Sequence, residues 1–63
     1  MPILQVDMFK GRTTEQKREM ARKVTEVVSE TLDCPKDAVT IIIREMEKED
    51  LAKAGVLKID SEQ

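Results

Sequence analysis

The five residues Val39-Thr40-Ile41-Ile42-Ile43 form the longest run of β-branched side chains in this 63-residue sequence. Such side chains favour extended backbone, so the run predicts a strand over residues 38–46. Apolar residues follow one another here without strict alternation. That pattern is typical of a strand buried on both of its faces.

A second strand is predicted near the start of the chain. Residues 3–9 alternate well enough for a strand, with Leu4, Val6 and Met8 on one face and Ile3, Gln5, Asp7 and Phe9 on the other. Residues 10–12 form a connector in which Gly11 allows a turn.

A helix is predicted between the two strands. Thr13 is followed three residues later by Gln16, the spacing of a capping box, although Thr14 is a competing cap. The helix should end near Asp33, because Pro35 disfavours helical backbone at the residue before it. Its apolar residues recur every three or four positions and predict one stripe made of Met20, Ala21, Val24, Val27, Val28 and Leu32.

The fold class that follows is α+β: one domain over residues 1–63, with a βαβ unit of parallel strands and a right-handed crossover. Residues 47–50 read as a polar turn, and residues 51–57 as a short hairpin. Residues 60–63 are expected to fray.

So short a chain buries too little surface to be comfortably stable alone. One cysteine excludes an internal disulfide, and without histidine a zinc site is not expected. A single helix covers only one face of the sheet, whereas Ile41, Ile42 and Ile43 call for cover on both. The sequence therefore predicts an oligomer.

Composition excludes several classes of partner. With 11 basic and 13 acidic residues and one aromatic side chain, nucleic acid is not expected as a partner. No apolar run reaches the roughly 20 residues that span a membrane. No signal peptide is recognisable, so we expect a cytoplasmic protein.

Histidine, tyrosine and tryptophan are absent, so only Asp, Glu, Lys, Cys34 and the N-terminal amine can move protons. Most of the carboxylates and lysines are expected to be solvated surface charges. If Met1 is removed, the ring nitrogen of Pro2 becomes a secondary amine. Apolar surroundings and a nearby cation would lower the pKa of such an amine towards neutrality. The alternative is that Pro2 is an ordinary edge-strand proline.

Two arginines are candidates for binding an anion. Arg12 lies between a strand end and a helix start, where a guanidinium can hold a carboxylate through two hydrogen bonds. Arg44 shares a strand face with Thr40 and Ile42 and calls for a partner or a ligand. Both could instead be solvated surface residues. Cys34 is expected to be inert, since nothing nearby lowers the pKa of its thiol.

Together these residues resemble the 4-oxalocrotonate tautomerase family over nearly the whole chain. The segments that carry the resemblance are Met1-Pro2-Ile3, Gly11-Arg12-Thr13-Thr14-Glu15-Gln16-Lys17, Leu32-Asp33-Cys34-Pro35 and Ile42-Ile43-Arg44-Glu45-Met46. The resemblance implies two chains that share a four-stranded sheet, with three such dimers in a hexamer.

The resemblance also implies an activity that needs no cofactor and no metal. The amino-terminal proline, here Pro2, is the general base and acid that moves a proton along a dienol such as 2-hydroxymuconate, giving the conjugated 2-oxo isomer. The position of Arg12 binds the carboxylate of the substrate, and the position of Phe9 forms an apolar wall.

Two positions depart from the family pattern. Thr40 stands where a second arginine is usual, and Leu51 stands where an aromatic residue usually closes the pocket. Threonine offers a neutral hydrogen bond but no charge to a developing enolate. Arg44 could replace the cation only over some 13 Å, four residues along the strand at about 3.3 Å each.

Three alternatives therefore stay open. The chain could be a partner subunit of a mixed hexamer with little activity of its own. It could be a dehalogenase or hydratase of unsaturated acids, although no acidic residue can be assigned to activate water. If Met1 is retained, the nitrogen of Pro2 is an amide without basicity.

Overall fold

The computed structural model of the chain describes residues 1–61. It contains strand β1 (Ile3–Phe9), helix α1 (Thr14–Leu32) and strand β2 (Thr40–Met46). A short hairpin of β3 (Ala52–Lys53) and β4 (Val56–Leu57) follows, and a single helical turn, α2 (Lys58–Ser61), comes after it.

Strands β1 and β2 are parallel neighbours, so the predicted βαβ unit is confirmed. Ile3 is paired with Thr40 at one end of the sheet, and Phe9 with Met46 at the other. Beyond that last pair, the Lys10 N–H donates to the Met46 carbonyl at 3.0 Å. The outer edge of each strand has no neighbour within residues 1–61.

Helix α1 begins where the capping box predicted. The Gln16 N–H donates to the Thr13 hydroxyl oxygen at 3.1 Å, and the Thr13 N–H donates to the Gln16 side-chain oxygen at 2.9 Å. This settles the choice between the two threonines, because Thr14 is the first helical residue. The helix ends as predicted at Asp33, whose φ of 53° is left-handed.

The helix covers one face of the sheet, but its contact stripe differs from the prediction at two positions. Val27 and Leu32 are exposed in the chain, whereas Met20, Ala21, Val24 and Val28 are partly covered. Lys17 extends the stripe by one turn, and its ammonium lies 2.8 Å from the Glu45 carboxylate on β2. The ion pair of Lys17 and Glu45 thus lies at one end of the interface between α1 and the sheet, which is otherwise mainly apolar.

The second strand is shorter at its start than predicted. Residues Lys36–Ala38 form a 3₁₀ turn, in which the Ala38 N–H donates to the Pro35 carbonyl at 3.0 Å. That hydrogen bond takes the backbone of Ala38 out of the extended state, so β2 begins at Thr40. Pro35 fixes its own φ near −69°, which starts this turn.

The C-terminal part confirms the hairpin and corrects the expectation beyond it. Ala54 and Gly55, with φ of 54° and 82°, form the two-residue turn that a tight antiparallel hairpin requires. The residues predicted to fray begin at Asp60, yet Asp60 and Ser61 belong to α2. The other two residues of that prediction, 62 and 63, lie outside the described part of the chain.

The opposite face of the sheet is open in the single chain. Ile3 and Ile42 lie on it with 57% and 37% of their surface exposed. No side chain among residues 1–61 is fully buried. Among the same residues, no helix combines the length and the apolar character needed to cross a membrane.

Candidate active site

Pro2 and Thr40 lie together at the end of the sheet where the strands begin. The Thr40 N–H donates to the Pro2 carbonyl at 3.0 Å, which fixes the backbone of Pro2 beside β2. Pro2 is partly covered, whereas Met1 is 89% exposed. With Met1 attached, the Pro2 nitrogen is an amide and cannot take up a proton.

Arg12 lies beyond the other end of the sheet, on the connector from β1 to α1. Gly11, with a φ of 129°, turns the chain there, and the cap at Thr13 fixes the residue that follows Arg12. The Arg12 side chain is exposed and forms no ion pair with any residue in the range 1–61. Its guanidinium is therefore free to bind an anion from solution.

Two concavities meet at Arg12. The larger has a volume of about 380 Å³ and is lined by Met8, Phe9, Lys10, Gly11, Arg12 and Lys48. The smaller, of about 200 Å³, is lined by Met8, Arg12, Gln16, Lys17 and Met20. Neither wall includes an acidic residue.

Phe9 and Leu51 meet across a third cavity, of about 400 Å³. Phe9 is the last residue of β1, and Leu51 directly precedes the hairpin, so the two side chains line the same cavity. The structure thus brings together the two side chains predicted to form the apolar part of the pocket. Because Phe9 also lines the larger concavity at Arg12, the two spaces adjoin.

Lys53 and Lys58 line the same cavity, and sequence reasoning missed both. The predicted hairpin could have identified them, because its strand pairing decides which side chains share a face. Lys53 is paired with Val56, and the Lys58 N–H donates to the Leu51 carbonyl at 2.8 Å. Since side chains alternate along a strand, Leu51, Lys53, Val56 and Lys58 share one face.

The ion pairs around this end of the sheet are local and well formed. The Lys10 ammonium lies 3.0 Å from the Glu47 carboxylate, and this hydrogen bond and charge raise the pKa of Lys10 above 10.5. The pair of Lys17 and Glu45 is about 28% exposed on each side, and it ties the first turn of α1 to β2. The connector that carries Arg12 is therefore anchored on both sides.

Arg44 lies at neither end of the sheet. It is paired in register with Asp7, on the open face, four residues along β2 from Thr40. Arg44 forms no ion pair with any residue from 1 to 61. Within one chain the structure therefore does not bring Arg44 into the cavities at Phe9, Arg12 or Leu51.

Cys34 is partly covered and free. Its carbonyl accepts a hydrogen bond from the Ser29 hydroxyl at 2.5 Å, and its N–H donates to the Ser29 carbonyl at 3.1 Å. These contacts close the C-terminal end of α1. Cys34 is thus part of a helix cap, remote from the cavities described above.

Pro2 and Arg12 do not meet within one chain. They flank the seven-residue strand β1, whose first and last residues are about 20 Å apart at 3.3 Å per residue. A site that uses both residues requires a second chain, which supplies one of them.

The chain is similar to characterised and named proteins over nearly its full length. A family model described as tautomerase enzyme matches residues 2–60. A probable tautomerase of Listeria monocytogenes is 42% identical over 95% of this chain and 98% of its own length. The 2-hydroxymuconate tautomerase of Bacillus subtilis is 44% identical over 98% of this chain and 100% of its own.

Solved structures agree with this. YwhB, a homologue of 4-oxalocrotonate tautomerase, has a TM-score of 0.89 at 43% identity and covers 97% of this chain and 100% of its own. Two others bear on the alternatives. A heterohexameric 4-oxalocrotonate tautomerase from Chloroflexus aurantiacus has a TM-score of 0.86 at 31% identity and covers 98% of this chain and 100% of its own. A protein studied for trans-3-chloroacrylic acid dehalogenase activity has a TM-score of 0.78 at 32% identity and covers 89% of this chain and 97% of its own.

The matched span, the identities and the shared parallel βαβ fold with its C-terminal hairpin lead to one conclusion. This chain belongs to the tautomerase family of enzymes, which are isomerases, and it has the 4-oxalocrotonate tautomerase fold.

Proposed function

We propose that the chain is a keto–enol tautomerase of small carboxylated enols and dienols such as 2-hydroxymuconate, with Pro2 as the base and acid. The observation that carries the proposal is the placement of its parts. Pro2 lies at one end of β1, and a cationic, apolar-walled set of cavities lies at the other end. The outer edge of β1 between them is unpaired within residues 1–61.

A two-fold dimer would complete the site. If the free edges of two β1 strands pair antiparallel, the start of each strand lies beside the end of the other. The Pro2 nitrogen of one chain then faces the Arg12 and Phe9 of its partner. Such pairing also removes two exposed strand edges, which are otherwise open to unspecific association.

The reaction needs two proton transfers, one from the substrate to Pro2 and one from Pro2 back to the substrate. Once Met1 is removed, the free Pro2 nitrogen takes the proton from the enol hydroxyl of the substrate. The C=O bond then forms, and the double bond shifts along the carbon atoms of the substrate. The protonated nitrogen then returns the proton to carbon. A cation such as the partner's Arg12 favours the neutral amine, so the base is available near neutral pH.

Arg12 has a separate task. Its exposed guanidinium, on an anchored connector, binds and orients the substrate carboxylate through charge-assisted hydrogen bonds. Phe9 and Leu51 supply apolar walls that keep water from the reacting carbons. Thr40 offers a neutral hydrogen bond where the resemblance led us to expect an arginine.

Neither cavity at Arg12 nor the cavity at Leu51 has an acidic lining residue, which favours tautomerisation over hydration or dehalogenation. Glu47 and Glu49 line a separate cavity that shares Phe9 and Lys10, and Glu47 is paired there with Lys10. Activation of water usually needs a carboxylate in the pocket. A partner-subunit role in a mixed oligomer is the second candidate, and the neutral Thr40 is the observation that favours it.

The test is Pro2→Ala in protein whose mass shows that Met1 is gone. We expect at least about a tenfold loss of kcat on 2-hydroxymuconate or phenylenolpyruvate, the scale of general acid–base catalysis. Equal rates in the variant and the wild type would end the proposal. A wild-type homo-oligomer without activity, which gains it with a second homologous chain, would favour the partner-subunit role.

A further inference from the structure

Two lysines in the cavity behind Phe9 have no counter-charge. Lys53 and Lys58 line this space together with Phe9. Neither forms a salt bridge or a side-chain hydrogen bond with another residue of the described range 1–61. By contrast, Lys10, Lys17 and Arg22 are all paired with glutamates.

Apart from the two lysines and Ser61, the cavity is lined by apolar side chains. The remaining walls of the cavity consist mainly of Phe9, Leu51, Ala54 and Val56, and no acidic side chain is among them. Lys58 is also partly covered. Two cations that share one cavity without a counter-charge favour an anion there, through charge-assisted hydrogen bonds.

The position of the cavity relative to Arg12 defines the shape of a suitable anion. Phe9 lines both this cavity and the concavity that contains Arg12, so the two spaces adjoin at one aromatic residue. A ligand with an anionic group at each end and an unsaturated, flat middle can lie along Phe9. One end then meets Arg12 and the other meets Lys58 and Lys53.

We propose that Lys58, assisted by Lys53, binds the second carboxylate of a dicarboxylate substrate and so supplies the cation that Thr40 does not. The inference rests on the proposed function, because it assigns both ends of the same substrate. It makes the site selective for diacids over monoacids. Lys53 and Lys58 are then specificity-determining residues of the tautomerase.

Steady-state kinetics of Lys58→Met, Lys53→Met and the double variant test this selectivity. On the diacid 2-hydroxymuconate we expect kcat/KM to fall by about tenfold or more, mainly through KM, since charge-assisted hydrogen bonds are at stake. On the monoacid phenylenolpyruvate the change should stay within about twofold. Lys58→Arg should retain the preference for the diacid.

Lys23→Met is the matched control, because it removes one positive charge from the exposed middle of α1, away from both ends of the sheet. It should leave both substrates unchanged. Equal losses on diacid and monoacid in the cavity variants, or no loss on either, would overturn the inference. Circular dichroism and size-exclusion chromatography of each variant show whether fold and assembly are kept.

A binding measurement separates this inference from the proposed function. Isothermal titration with adipate and hexanoate, which differ by one carboxylate, needs no catalysis by Pro2. Wild type and Pro2→Ala should both bind adipate more tightly, and the double lysine variant should bind both acids alike. If Pro2→Ala retained full turnover while adipate still required the lysines, the proposed base would fail and the diacid subsite would stand. Adipate binding that is indifferent to both lysines would reject the subsite.

Discussion

At the end of the sheet where its strands begin, the Thr40 N–H donates to the Pro2 carbonyl at 3.0 Å. At the other end, Arg12 and Lys10 lie around Phe9, next to a cavity of about 400 Å³ that holds two more cations. One end thus has a candidate base, and the other can bind an anion. The candidate base and the candidate anion-binding residues thus lie at opposite ends of the sheet, so a two-fold pair of chains would complete each site with one half from each chain.

The difference also concerns how firmly each end is held. Around Arg12, a capping box and two ion pairs fix the connector and the first turn of α1. At Pro2, the described contact is the hydrogen bond from Thr40, and the face beside it is open at Ile3. We infer that the anion-binding end is formed by the chain itself, whereas the end at Pro2 gains its surroundings on assembly.

The largest expected effect is recovery of activity when two impaired variants are mixed and assayed at a substrate concentration well below KM. Pro2→Ala and Arg12→Ala each damage every site of a homo-oligomer. In a mixed two-fold dimer, one site receives both intact residues, so unfolding and refolding an equal mixture should restore about a quarter of wild-type activity.

The control is each variant refolded alone, which at the same low substrate concentration should keep no more than about a tenth of wild-type activity. No recovery, with mixed assembly verified by native mass spectrometry, would mean that Pro2 and Arg12 do not act in one site shared between two chains.

Arg12→Ala alone should act on binding more than on chemistry. We expect KM for phenylenolpyruvate to rise by about tenfold or more while kcat changes less, because the guanidinium holds the carboxylate in both the ground state and the transition state. Steady-state kinetics measure this. A fall in kcat at constant KM would place Arg12 on the reacting atoms instead.

Lys17→Met should loosen the anion-binding end without touching Pro2. It leaves the Glu45 carboxylate at the interface of α1 and β2 without its cation, and we expect a loss of about 1–2 kcal/mol, between the values for exposed and buried pairs. Urea denaturation at one fixed protein concentration measures the loss.

Lys23→Met is its matched comparison, since Lys23 is about 67% exposed and lies 3.9 Å from Glu19. Its effect should be below about 0.5 kcal/mol. Equal losses in the two lysine variants would show that the pair of Lys17 and Glu45 anchors nothing.

The smallest effect is expected at Glu19, on the outward side of α1. The hydrogen bond from Arg22 and its charge lower the pKa of Glu19 below the ordinary value of 4.5. Its contribution to stability is therefore present above that value and is lost as the pH falls through the lowered pKa.

Glu19→Gln should remove this weak dependence of stability on pH in the acidic range and leave the enzymatic activity unchanged. Thermal midpoints at neutral pH and well below pH 4.5 measure the dependence, and kinetics on phenylenolpyruvate measure the activity. Loss of activity in this variant would contradict the assignment of the site to the two ends of the sheet.

Much of the fold follows from local patterns in the sequence. The β-branched run at Ile41–Ile43, the capping box of Thr13 and Gln16 and the stop before Pro35 each depend on a few neighbouring residues, and the structure confirms the strand, the helix start and the helix end. The misplaced start of β2 had a local cause as well, a turn begun by Pro35. Val27 and Leu32 were assigned to the contact stripe because spacing alone does not show how wide a face the sheet presents.

The candidate site was less predictable. Pro2, Arg12 and Phe9 could be chosen from their chemistry and from the resemblance to a family, and their roles remain predictions. Lys53 and Lys58 required the pairing of the hairpin to be written out residue by residue. That Arg44 lies apart from the cavities follows from its register beside Asp7, which depends on how two distant segments align.

The sequence by itself determined which groups can act: without histidine or tyrosine, and with one glycine-arginine connector before a capped helix, the choice of base and anion-binding residue was narrow. Only the tertiary structure decided where they are. A parallel sheet places the beginnings of both strands at one end and their ends at the other, so Pro2 and Arg12 are separated by the length of β1. Spacing along the chain cannot show this, because proximity is set by strand direction and pairing between segments far apart in sequence.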